Sequence, residues 1–272
     1  MKKLFAMTCA LMLMLSLAAC GNTASNTATP SSTAAQTADS DLAYVKDKGE
    51  MVIGYTVYEP MNYTDDSGKL VGFDTEFAEA VCEKLGVTPK FVEIDWDNKF
   101  LELDSKSIDC IWNGMTITDE VTKNTNVTKP YVKNAQVVVM KADKVAEYTT
   151  PESMKDLKFA AEAGSAGESA IEENGLDANY TAVAAQTDAM LEVMSGSVDA
   201  CVIDNTMATA MTGEGTSYAS LAAGIELTSE EYGIGFRKGS DLTEEVNKIM
   251  DELKQDGTLQ KLADTYQLTL AE

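Results

Sequence analysis

Residues 101–114 read LELDSKSIDCIWNG, and ninety residues further on, 191–204 read LEVMSGSVDACVID. Both segments open on Leu-Glu, place serines at the fifth and seventh positions and an aspartate at the ninth, and run into a short apolar stretch. The surroundings match as well: apolar positions at helical spacing lead into a Ser-x-Ser turn, and a buried strand follows, CIWNG (110–114) in one copy and ACVID (200–204) in the other. A helix–turn–strand unit used twice at a constant offset predicts two similar α/β lobes.

Working outward, strand-like runs occur at MVIGY (51–55), KFVEI (90–94), DCIW (109–112), QVVVM (136–140), KFAAE (158–162), YTAVA (180–184) and ACVID. Helical spacing lies between them, at Phe77, Val81 and Leu85 and again at Met190, Leu191 and Met194. A last strand and two helices fill 233–268, with Val246, Ile249, Met250 and Leu253 as the buried face of the first. Alternation of this kind predicts mostly parallel sheets, which bind ligands at the carboxyl ends of their strands.

Residues just after the strand runs are therefore the site candidates. Tyr58 and Trp96 follow the first two runs; each either plugs the top of a core or faces the other across a slot that sandwiches a ligand. Asn113, Gly114, Met115 and Thr116 follow the third, and Thr118 either caps the next helix or joins a cluster of donors suited to a carboxylate. Gly164, Ser165, Ala166 and Gly167 offer similar chemistry from the second lobe. Asp204 is either a helix N-cap or a carboxylate aimed at an ammonium group.

Bulk composition narrows the function. The 272 residues carry 21 basic and 44 acidic side chains, a net charge of −23, which disfavours nucleic acid and anionic lipid as partners. There is no histidine, so imidazole bases, Ser-His-Asp triads and His-ligated zinc are excluded; no cofactor and no metal is expected. Lys2 and Lys3, the apolar run over 4–19 and Leu17-Ala18-Ala19-Cys20 have the pattern of an export signal. Residues 21–40 contain no large apolar side chain and read as a tether. Cys82, Cys110 and Cys201, in apolar surroundings, read as buried free thiols.

The order KGEMVIGYTVYEPMNYTDDSGKLVGFDTEFAEAVCEKLGV (48–87), IDWDNKFLELDSKSIDCIWNGMTITDE (94–120), AGSAGES (163–169) and YGIGFRKGSDLTEEVNKIMDELKQDGTLQKL (232–262) resembles the extracytoplasmic solute-binding proteins, family 3, of polar amino acid ABC transporters. The resemblance implies an α/β fold of two lobes joined by two hinge crossings, closing on its ligand like a flytrap. It implies lobe 1 from 43–134 plus 230–270, lobe 2 from 135–229, and crossings near 133–136 and 227–232. Its lipoprotein form implies a signal peptide over 1–19 and a lipidated Cys20 with a tether over 20–42, anchoring a monomer outside the cell membrane beside a permease and an ATPase. An aromatic clamp is implied at Tyr58 and Trp96, contacts to the α-carboxylate and α-amino groups at Asn113, Gly114, Thr116 and Ala166, and an ammonium-binding carboxylate at Asp204.

One position departs from the pattern. Where the family places an arginine that forks onto the ligand's α-carboxylate stands Val121, and the sole arginine of the chain, Arg237, lies in a scaffold strand. Either backbone N–H groups and Lys123 hold that carboxylate, or the ligand is an amine or quaternary ammonium without one, which Tyr55, Tyr58 and Trp96 with Asp95, Glu102 and Asp204 would suit. An enzyme on this scaffold, a dehydratase or lyase, would have to rely on Glu102 and Asp204, so a binding role is expected instead.

Overall fold

A computed structural model describes residues 40–272; the export signal and Cys20 lie outside the described residues. Helix α1 (Asp41–Lys48), strand β1 (Glu50–Tyr55), a small hairpin of β2 (Tyr63–Thr64) and β3 (Leu70–Val71), helix α2 (Phe73–Leu85), β4 (Thr88–Glu93), α3 (Lys99–Asp104), β5 (Cys110–Thr116), α4 (Asp119–Asn124), β6 (Asn126–Val127) and β7 (Val132–Asn134) open the chain. The middle comprises β8 (Gln136–Lys141), β9 (Phe159–Glu162), α5 (Ala166–Glu173), β10 (Tyr180–Val183), α6 (Gln186–Ser195), β11 (Ala200–Asp204), α7 (Asn205–Met211) and β12 (Leu221–Glu226). Strand β13 (Glu230–Phe236) and helices α8 (Leu242–Gln255) and α9 (Thr258–Tyr266) complete it.

Two principal sheets result, the cores of two lobes. One has the order β4-β1-β5-β13-β6 with β7 also on β13; the other has the order β10-β9-β11-β8-β12. Continuous apolar runs form their central strands because both faces are covered. In β5, Cys110 and Trp112 enter one apolar cluster and Ile111 and Met115 the cluster on the opposite face, the two-residue alternation of a strand. In β8, Val137 and Val139 divide from Val138 and Met140 in the same way.

The sheets are mixed rather than mostly parallel. Strands β1, β4 and β5 run parallel, as do β9, β10 and β11, but β13 is antiparallel to β5 and β8 to β11. The reason lies in the crossings. The chain leaves the first sheet at Asn134 and enters the second at Gln136, and it returns between Glu226 and Glu230. Gln136 pairs with Asp204 at the end of β11, and Tyr232 with Thr116 at the end of β5. Each crossing strand thus starts at the edge where the parallel strands finish, and must run back against them.

The repeated sequence motif has a repeated structural job. Ser105 and Ser107 hydroxyls bond each other at 2.9 Å and Ser195 and Ser197 at 2.7 Å, while Ser105 donates to the Glu102 carbonyl and Ser195 to that of Glu192. The aspartate of each copy then accepts from a neighbouring strand: Asp109 from the Val52 N–H at 2.8 Å, Asp199 from the Lys158 N–H at 2.9 Å. Each motif closes a helix and pins the start of a parallel strand beside the next. Arg237 serves the scaffold too, donating to Asp41, Asp109 and the carbonyls of Leu103 and Ile108.

Helix faces follow the apolar pattern with one correction. In α8, Val246, Ile249, Met250 and Leu253 are buried. In α6 the buried face is Ala189, Met190 and Val193, whereas Leu191 and Met194 are 51% and 43% exposed. Alanine is small enough to let α6 approach the sheet, so the contact face turns about Met190 rather than Leu191. Cys82, Cys110 and Cys201 are free and buried.

Candidate ligand-binding cleft

The carboxyl ends of β5 in one lobe and of β9 and β11 in the other, with the starts of α4 and α5, enclose a narrow cleft. This is where parallel sheets offer backbone groups and helix starts to a ligand. Trp96, Asn113, Gly114, Thr116, Val121, Ala166 and Asp204 all line it. Their side chains are committed very differently.

Asn113 presents backbone to the cleft. Its Oδ1 accepts from the N–H and hydroxyl of Thr56, and its Nδ2 donates to the Thr56 carbonyl and Asn62 Oδ1, which fills the amide's capacity on the far side. The Gly114 N–H, expected to face a carboxylate, donates instead to buried Asp74 at 2.6 Å. Gly114 has a φ of +54°, and a Cβ there would fall 2.6 Å from the Tyr58 ring, so only glycine fits. Thr116 donates its hydroxyl to Glu230 at 2.7 Å, and Thr118 caps α4 by accepting from the Val121 N–H at 3.1 Å.

Tyr58 corrects the expected clamp. It is 1% exposed, does not line the cleft, and sits beneath Gly114 with its hydroxyl bonded to Tyr232 and Thr206. Proline at 60 and the Tyr58–Asn62 backbone pairing turn the loop inward, so the ring packs edge-on to Tyr232 rather than facing Trp96. Trp96 remains at the cleft, 7% exposed, in one apolar cluster with Val121. Tyr55, Asp95, Glu102 and Lys123 also lie outside the lining.

Asp204 takes neither role cleanly. It occupies the N-cap position of α7 without a side-chain cap bond. Its Oδ1 accepts from Asn134 Nδ2, Gln136 Nε2 and the Tyr232 hydroxyl at 2.5, 2.9 and 2.8 Å, and its Oδ2 from Gln186 Nε2 at 2.5 Å. Asn134 and Gln136 donate equally to Glu230 on the second crossing. Burial, followed by the nearby Glu230 charge, raises the Asp204 carboxyl to about 7.

Two charged residues of the cleft were not among the candidates. Lys99 is 4% exposed and donates to the Gly164 carbonyl of the other lobe at 2.8 Å and to the Trp96 carbonyl at 3.2 Å. Its ammonium stands 5.1 Å from the Trp96 ring centre, and burial lowers its pKa. Glu162, the last residue of β9, is 3% exposed, and its Oε1 has no hydrogen-bond partner. A signal for Glu162 was present in the run KFAAE, an acid ending an otherwise apolar strand. Lys99 had none, since a lysine opening a short helix usually points to solvent.

The model of the bacterial extracellular solute-binding proteins, family 3, matches residues 51–269. The chain belongs to this family. Among curated relatives of this solute-binding protein, the L-cystine-binding protein TcyJ of Escherichia coli (strain K12) is 29% identical over 227 residues, 83% of this chain and 85% of TcyJ. Among solved structures, an amino acid ABC transporter substrate-binding protein from Streptococcus pneumoniae bound to L-arginine aligns with a TM-score of 0.76 at 27% identity, covering 86% of this chain and 100% of that one. The ancestral amino acid-binding protein AncCDT-1, a precursor of cyclohexadienyl dehydratase, aligns at 0.76 and 30% identity over 84% and 99%.

The cleft of this solute-binding protein carries more acids than bases. Val121, 4% exposed, leaves its wall apolar where an arginine was expected. Positive charge comes from Lys99 alone among the lining residues, against Glu120, Glu162 and Asp204. An ammonium at Lys99 is a point charge, not a fork.

Proposed function

We propose that this protein is the substrate-binding component of an ABC importer, capturing a polar amino acid or close derivative between its lobes and delivering it to a permease. The observation that carries the reading is the cleft itself: strand ends of two sheets face each other, and the crossings between the sheets meet at its floor. In this reading 43–134 with 230–270 move as one body and 135–229 as the other. Trp96 packs on the ligand, backbone at Asn113, Gly114 and Thr116 with Ala166 at the start of α5 surrounds its polar groups, and Asp204 adds negative charge at the floor. Val121 supports a second reading, in which the solute is an amine or quaternary-ammonium-like cation without a free α-carboxylate. The relatives' binding of cystine and of arginine supports the amino-acid reading first, and no catalytic role is assigned.

Trp96 reports on the proposal. The chain has two tryptophans, and the other, Trp112, is fully buried in the lobe 1 core. Titration with the right solute is expected to change the emission of wild type and not of Trp96→Phe. A screen of amino acids, betaines and polyamines that moves neither emission nor melting temperature would sink the reading. The same proposal places the protein outside the cell membrane, held by lipid on Cys20; Cys20→Ala is expected to release it into the medium.

A further inference from the structure

Three buried side-chain atoms lack a hydrogen-bond partner among the described residues: Asp74 Oδ1, Trp112 Nε1 and Glu162 Oε1. Of the three residues, Glu162 alone lines the cleft. A buried carboxyl oxygen left without a partner is costly, so its persistence at the cleft points to a partner that arrives from solution. The contrast with Asp204 is direct, since four side-chain donors of the protein itself already occupy that carboxylate. Glu120 is exposed to solvent. Nor does Lys99 satisfy Glu162: its ammonium donates to the carbonyls of Gly164 and Trp96 and acts on Glu162 only as a nearby charge.

We infer that Glu162 is the specificity-determining residue of the cleft, pairing directly with an ammonium or guanidinium group of the ligand, while Asp204 chiefly organises the crossings. The inference rests on the solute-binding reading and deepens it: the preferred solute carries a cationic group on the side facing β9. Asp204 on β11, Asp188 on α6 and Asp95 before α3 add negative charge around Glu162, and Lys99 on α3 opposes them. Burial first, then Asp204, raises the Glu162 carboxyl to about 8. At about 8 that carboxyl is largely protonated at neutral pH, and a cation that pairs with it displaces the proton.

The experiment is calorimetry and thermal shift on residues 40–272 with matched probes: L-arginine against its neutral isostere L-citrulline, L-ornithine against L-glutamine, and putrescine. Wild type is expected to bind at least one cationic probe about tenfold or more tightly than the neutral partner, releasing protons near pH 7 as judged in two buffers of different ionisation enthalpy. Glu162→Gln should fold, lose that preference and release fewer protons; Glu162→Ala should behave likewise. Asp204→Asn should lower the melting temperature while the surviving binding still favours the cation. Retention of the full charge preference by Glu162→Gln, or tighter binding of neutral probes by wild type, overturns the inference and leaves the solute-binding reading standing. Failure of every probe to bind wild type counts against both.

Discussion

At Val121 an aliphatic side chain packs beside Trp96 on the cleft wall, in a cluster with Leu103 and Met115. Val121→Arg would thread a longer side chain through that packing, at an expected cost of about 1–3 kcal/mol in unfolding free energy. In return it places a fork donor in the cleft. Amino acids with free carboxylates should then gain in thermal shift relative to their methyl esters; an unchanged ratio would show that the ligand's carboxylate, if it has one, lies elsewhere. Gly114 is the stricter position. Gly114→Ala meets the Tyr58 ring and a left-handed backbone together, so a loss of at least ~1 kcal/mol is expected in urea denaturation. What the sequence disclosed at this scale was position along the chain, not commitment. Tyr58 does follow a strand and Asn113 lies within β5, but their partners Thr56, Asn62, Thr206 and Tyr232 come from other segments, and no local pattern shows which face of a strand end those partners will claim.

Among the elements, the central strands were legible because burial on both faces leaves an unbroken apolar run. Strands β6, β7 and β12 were not: two are very short, and β12 is only half buried, so neither apolar continuity nor alternation marks them. Helix α6 shows how a correct element can carry a wrong face, since Met190, Leu191 and Met194 are chemically alike and only packing separates them. Met190→Ala should cost about 2–5 kcal/mol, whereas Met194→Ala should stay within about 0.5 kcal/mol, both measured by urea denaturation. Equal costs would mean that α6 is rotated from the face described. The Ser-x-Ser-x-Asp repeat was visible as text, yet its purpose emerges only with the strands that Asp109 and Asp199 hold.

The whole molecule places three raised carboxyls in its interior: Asp74 and Asp204 at about 7 and Glu162 at about 8, each chiefly through burial. Their unfolded counterparts ionise near pH 4. Between those limits the folded chain holds more protons than the unfolded one, so stability must fall as pH rises and level off above about pH 8. Melting temperature without ligand is expected to be higher at pH 5 than at pH 8, by the equivalent of on the order of 1 kcal/mol or more. High salt, which screens the acidic surface, should leave much of this difference. A flat profile would mean that these carboxyls are solvated in the native state. The two-lobe plan itself was legible from the repeat, because it depends on periodicity. How the crossings share Asn134 and Gln136 between Asp204 and Glu230 was not, because it joins residues from three separate segments.

The buried thiols carry a practical consequence. Burial drives Cys82 up to about 12, and raises Cys110 and Cys201 as well, so none offers a thiolate to an alkylating reagent at neutral pH. A chain begun at Ser40 would therefore accept two introduced cysteines as its only reactive ones. Leu101 and Leu191, equivalent in the repeat, exposed and one beside each sheet, are natural places for a donor and an acceptor dye, turning the internal symmetry of the molecule into a ruler for testing the proposed closure one molecule at a time.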